Sequence, residues 1–182
     1  MIEMELAALK LTLVVGLVFI DPTDFMLTNE EDQLVRTRSK SAIGYQKLWQ
    51  ILLKKMESDT LTPVGIRYEM SRQYNASVPI FFKEYRSISA LPPIPTTVFI
   101  AYNRRVEQHE LALSKELKIN LKPWFKELDQ LRIQHYAQMI ENSPQSRLIL
   151  LPQYSHGIHQ QDPILVSNAI LEVLKTIGPK PK

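Results

Sequence analysis

The chain has no cysteine and only five glycines among its 182 residues. The first absence excludes disulfides, thiolate metal sites and a cysteine nucleophile, and fits a reducing, cytoplasmic setting. The glycines, at positions 16, 44, 65, 157 and 178, are too scattered to build G-x-G-x-x-G, a Walker loop or G-x-S-x-G. Nucleotide cradles and the serine elbow are thereby excluded. Charge of one sign is also scarce: 22 basic residues against 19 acidic give a net charge of +3, too small to point to a nucleic acid. No histidine and carboxylate pair has metal-ligand spacing on an expected helix, so neither metal nor cofactor is assigned.

Long apolar runs are limited to one, residues 6–20, LAALKLTLVVGLVFI. Glu3 and Glu5 stand where a signal peptide carries basic residues. The run is also shorter than the roughly 20 residues that span a bilayer as a helix. It reads as helix formers over 3–11 followed by a strand over 13–20, and no membrane partner is expected. With 45% hydrophobic and 23% charged residues, the composition is that of a globular domain.

Three continuous apolar runs, LVVGLVFI (13–20), TTVFIAY (96–102) and SRLILLP (146–152), have the pattern of strands buried on both faces, as in parallel sheets. Helical periodicity fills the intervals. Tyr45, Leu48, Trp49, Leu52 and Met56 form one face within 29–57, a second helix covers 64–76, a third 105–118, and Lys122-Pro123 opens a long helix to about Glu141. In that long helix Leu128, Leu131, His135 and Met139 form an expected packing stripe. Asp162 is the expected N-cap of the last helix, whose stripe is Val166, Ala169, Ile170, Val173, Leu174 and Ile177. Strands alternating with helices predict an α/β fold of about three parallel strands with flanking helices. Residues 24–91 are too long for one crossover and read as a helical cap or lid insertion. The core is then 1–23 and 92–182.

Ligands of open parallel sheets bind at the carboxyl ends of the strands. The loops there carry Asp21 and Asp24, then Arg104 and Glu107, then His156 and His159. A carboxylate and an imidazole delivered to one rim can act as an acid–base pair, the carboxylate orienting the ring.

The run LILLPQYSHGIHQQDPILVSNAILEVL resembles the end of α/β-hydrolase-fold enzymes: last strand, histidine, apolar-His pair, then proline opening the final helix. His156, Ile158, His159 and Pro163 fit that register, with Ser155 where the family usually has glycine. IPTTVFIAY resembles the penultimate strand and VVGLVFIDP the strand before the cap. The resemblance implies a partial α/β-hydrolase sheet, with His156 as general base and Asp21 as the acid that orients it. Asp24 is the second candidate for that acid. Arg104 occupies the family's usual acid position, and Glu107 could serve only with a rearranged loop. The family's nucleophile elbow lies upstream of all three segments, and by that register Met1 falls within the helix after it.

The resemblance thus implies hydrolysis of an ester or related bond in a small apolar substrate, once a nucleophile-bearing amino-terminal half completes the site. Tyr45, Trp49, Tyr68, Tyr74, Phe81 and Phe82 would shape its pocket. The alternative is a non-catalytic remnant or interaction module whose open first strand pairs with a partner half or a second copy. Without a nucleophile the chain alone is expected to resist fluorophosphonate labelling and to leave nitrophenyl esters at background.

Overall fold

The computed structural model describes residues 14–58, 60–61, 63–65, 67–68, 71, 83, 85–88, 90–106 and 108–177, the side chains of 56–58 and 109 excepted. The secondary structure runs β1 (Leu17–Ile20), α1 (Asn29–Arg38), α2 (Tyr45–Ser58), β2 (Thr96–Tyr102), α3 (Gln108–Leu117), α4 (Leu121–Ile140), β3 (Arg147–Pro152), α5 (Ile158–Gln161) and α6 (Pro163–Ile177). The chain divides into two compact units. The first takes in Met1–Asp24, Ile88–Arg105 and Asp129–Lys182, the second Phe25–Ser87 and Val106–Leu128.

The first unit is built on a three-stranded parallel sheet in the order β1-β2-β3. β2 is central, and its first six residues are buried, because a strand paired on both edges and covered on both faces has no solvent side. Ile20 pairs with Phe99 and Phe99 with Ile149, so Val18, Ile20, Phe99, Ala101, Ile149 and Leu151 share one face. Against that face pack Ile158 and the buried residues Val166 and Ala169 of α6. Fully burying a side chain such as Phe99 contributes roughly 1.5–3 kcal/mol. The ring of Phe19, on the other face, meets Tyr136 of α4 at 6.2 Å between centroids. Gly16 is required by close approach: a Cβ there would lie 2.5 Å from Val173 Cγ1. Asp162 caps α6 through the Leu165 N–H at 2.9 Å.

Two features depart from the sequence expectation. β3 is half-exposed rather than buried on both faces, with Leu150 at 41% exposure, because it borders the three-stranded sheet with only β2 beside it. Ile170 and Leu174, expected on the buried stripe of α6, are exposed. The helix turns its narrower Val166, Ala169 and Val173 seam to the sheet. The expected helix over 64–76 falls largely outside the described residues.

The second unit is helical. The expected helix over 29–57 is two helices, broken where Ser39–Gly44 turns the chain. Thr28 and Glu31 form a reciprocal capping box at the start of α1. The Asp32 carboxylate accepts the Gln46 N–H at 3.0 Å, at the amino end of α2. A Cβ on Gly44 would fall 2.1 Å from that carboxylate, so only glycine allows the approach. Residues 106–128 cluster with this unit rather than with the sheet. Ala42 donates to the Lys118 carbonyl at 2.9 Å, and the Trp124 ring packs on Tyr45 at 5.8 Å. Trp49 and Tyr85 close the same aromatic cluster around Phe25. Tyr68 is exposed, and Tyr74, Phe81 and Phe82 lie outside the described residues.

Candidate functional site

All three strands end the same way. The residue after each one, Asp21, Asn103 and Gln153, has a positive φ, of 47°, 51° and 66°. Left-handed backbone is disfavoured for any residue with a Cβ, least so for Asp and Asn, whose short polar side chains bond locally. Such strain concentrates where a fold holds functional groups. Here each bend is secured by a hydrogen bond: Asp21 N–H to Phe99 O (2.9 Å), Asn103 N–H to Asp129 Oδ2 (3.3 Å), and Gln153 N–H to Tyr102 O (2.9 Å).

The bend at Asp21 carries its side chain back across the end of β2. β1 stops at Ile20, so the Ala101 N–H has no backbone acceptor on that side; Asp21 Oδ1 accepts it at 2.9 Å. A buried backbone donor must find such a partner. Asp21 is 4% exposed, and its other oxygen, Oδ2, lies 2.9 Å from Nδ1 of His156. A carboxylate only accepts, so Nδ1 carries the proton, and whenever the ring is neutral it is Nε2 that presents the lone pair. The His156 side chain is 76% exposed and has no other hydrogen bond among the described residues. Its loop is anchored on both sides. Ser155 donates twice to Gln161 Oε1, and Ile158 is completely buried.

A third element completes the site. Arg132 of α4 donates from Nη1 to Asp21 Oδ1 at 2.9 Å and from Nη2 to both the Ala101 carbonyl and Asp129 Oδ1, the latter at 3.0 Å. Asp21, Ala101 and Arg132 thus form a closed ring of hydrogen bonds around the carboxylate. Burial pushes the Asp129 carboxyl above its ordinary value, against the opposing pull of Arg132 and the Asn103 N–H. One helical turn further on, His135 Nδ1 meets Asp24 Oδ2 at 2.8 Å, the two side chains 11% and 1% exposed.

Of the sequence candidates, then, Asp21 and His156 come together, and Asp24, the second candidate for the acid, is engaged by His135. His135 lies on the expected packing stripe, its side chain 11% exposed, and its ring also hydrogen-bonds Asp24. His159 is exposed on α5. Glu107 and the side chain of His109 lie outside the described residues. Arg132 and Asp129 carry no assignment in the sequence reading. Their signal was the spacing of Asp129, Arg132 and His135, three apart, which puts three polar groups on one face of a helix that also buries Tyr136, Met139 and Ile140. Among the described residues no group of three or more His, Asp or Glu could hold a metal, and no helix is long and apolar enough to cross a membrane.

Comparison of the chain with family models, with curated proteins and with solved structures finds no match.

Proposed function

We propose that Asp21 and His156 are the acid–base part of a hydrolytic site of α/β-hydrolase type, acting on an ester or related bond of a small apolar substrate. The observation that carries the reading is the 2.9 Å contact between Asp21 Oδ2 and His156 Nδ1 at the carboxyl rim of a parallel sheet. A histidine so placed takes a proton through Nε2 from a hydroxyl or a water, and the carboxylate steadies the imidazolium that results. The His156 side chain is 76% exposed, open to a nucleophile. The sequence resemblance in LILLPQYSHGIHQQDP points the same way, and in it the nucleophile belongs to an amino-terminal half of the fold.

The second reading, a non-catalytic interaction module, draws on a different observation. Ile164, Ile170, Leu171 and Leu174 are exposed along α6, and no hydroxyl among the described residues is hydrogen-bonded to His156.

Nitrophenyl ester hydrolysis by the purified chain separates the two. On the catalytic reading the chain alone leaves the ester at background, and with a small alcohol added in place of the missing nucleophile it releases nitrophenol faster than buffer with the same alcohol. His156→Ala removes that rate, and Asp21→Asn lowers it by about 10²-fold or more. Equal rates for the native chain and His156→Ala in the presence of the added alcohol, with unchanged circular dichroism, would overturn the catalytic reading in favour of the module.

A further inference from the structure

We infer that Arg132 is a positioning residue for His156: by clamping Asp21 it fixes which imidazole nitrogen keeps the proton. The inference rests on the reading of Asp21 and His156 as an acid–base pair, and adds to it a residue that does not touch the histidine.

The argument begins with the freedom an aspartate has at the end of a strand. Its carboxylate can rotate, and either oxygen can face solvent, the backbone or a neighbour. At position 21 this freedom is removed on one side only. Oδ1 accepts both the Ala101 N–H and Arg132 Nη1, each at 2.9 Å, which leaves Oδ2 as the oxygen that faces His156. Neither donor suffices alone. The Ala101 N–H is a single bond about which the carboxylate can still swing, whereas the guanidinium is a planar fork held by several acceptors at once.

Arg132 is itself immobilised from three elements: Asp21 after β1, the Ala101 carbonyl of β2, and Asp129 one turn earlier on α4. Its side chain is 11% exposed. The histidine at the other end of the relay is the most exposed member, and its one hydrogen bond among the described residues is to Asp21. The tautomer of His156 is therefore decided by a buried cation through an intervening carboxylate.

A residue that merely held the fold together would move stability without moving the protonation site of an exposed imidazole. Nitrogen-15 NMR of the full chain, with both imidazole nitrogens of each histidine labelled, reads that site directly. The expected result is the Nδ1–H tautomer for neutral His156 in the native chain and its loss in Asp21→Asn. In Arg132→Gln the ratio of Nδ1–H to Nε2–H falls by about tenfold, the range covered by one charge-assisted hydrogen bond. Arg132→Lys, which keeps the charge but not the fork, falls in between. Asp129→Asn, which loosens the guanidinium from behind, gives a smaller shift in the same direction.

If the native chain shows Nδ1–H and Asp21→Asn abolishes it while Arg132→Gln retains it in full, the positioning role is overturned and the acid–base pair stands. If native and Asp21→Asn spectra coincide, the pair itself is overturned. Should Arg132→Gln not fold, the lysine and Asp129→Asn variants carry the test, and a native ratio in both defeats the inference.

Discussion

The two units bury polar side chains of different kinds. Among the described residues, every buried carboxylate, Asp21, Asp24 and Asp129, belongs to the sheet unit, and the buried polar side chains of the helical unit are two serines, Ser39 and Ser41. The serines satisfy each other and the Asn120 N–H with neutral hydrogen bonds, at a turn that joins helices. The carboxylates need a guanidinium, two imidazoles and backbone donors gathered at one rim. Burying charge is expensive unless each charge is paired, and apolar replacements of similar shape often give an equally stable fold. A unit that only has to fold has no cause to collect three carboxylates. The contrast therefore singles out the rim of the sheet as the candidate site.

Three experiments press on that contrast. The largest effect is expected from Arg132→Met, which leaves Asp21 and Asp129 without their buried cation. Urea melts should show a loss of about 3–5 kcal/mol. Adding Asp21→Asn and Asp129→Asn to Arg132→Met should recover much of that loss, since no uncompensated charge is then left inside. A combined variant no better than the single one would mean that shape, not charge, governs the rim. In the helical unit Thr28→Ala removes one half of the capping box, and about 1 kcal/mol should be lost in the same assay.

The smallest effect concerns Asp32. Its partial burial pushes the carboxyl above its ordinary value, against the opposing pull of the Gln46 and Tyr45 N–H groups and of Arg36. A raised folded value means that the folded state binds the proton more tightly than the unfolded chain. Asp32 therefore adds stability as pH falls through its raised folded value towards 3.8, and subtracts it above that window. Asp32→Asn keeps the acceptor for Gln46 and removes the ionisation. It should flatten that part of the pH–stability curve and be no less stable than the native chain at pH 7. A less stable variant at pH 7 would show that the negative charge at the start of α2 matters more than its desolvation.

Much of the sheet was legible because parallel strands announce themselves: TTVFIAY coincides with β2, and the last helix begins at Pro163 after its Asp162 cap. Exposure was less legible. SRLILLP has the composition of a central strand, yet only the strand order decides that β3 has one neighbour. That a carboxylate and an imidazole meet at one rim could be anticipated from topology, since loops leaving parallel strands gather at one end; the choice of Asp21 and His156 came from the family resemblance. Arg132 could not. A polar residue every three positions along α4 looks in sequence like a solvent-facing stripe, and only the packing of Tyr136 and Met139 turns that stripe inward. His135 was legible as an inward residue, on the stripe with Leu131 and Met139, but its hydrogen bond was not. Its partner Asp24 is 111 residues away.

The left-handed backbone at Asp21 narrows what evolution or design could put there. Glutamate keeps the charge but is one methylene too long for the Ala101 N–H, and it lacks the tolerance of a short acid for positive φ. Asparagine keeps the bend and gives up the charge; glycine relaxes the bend and gives up both ligands. The corner of the chain and the acid of the proposed pair are one residue, so neither can be retuned without disturbing the other.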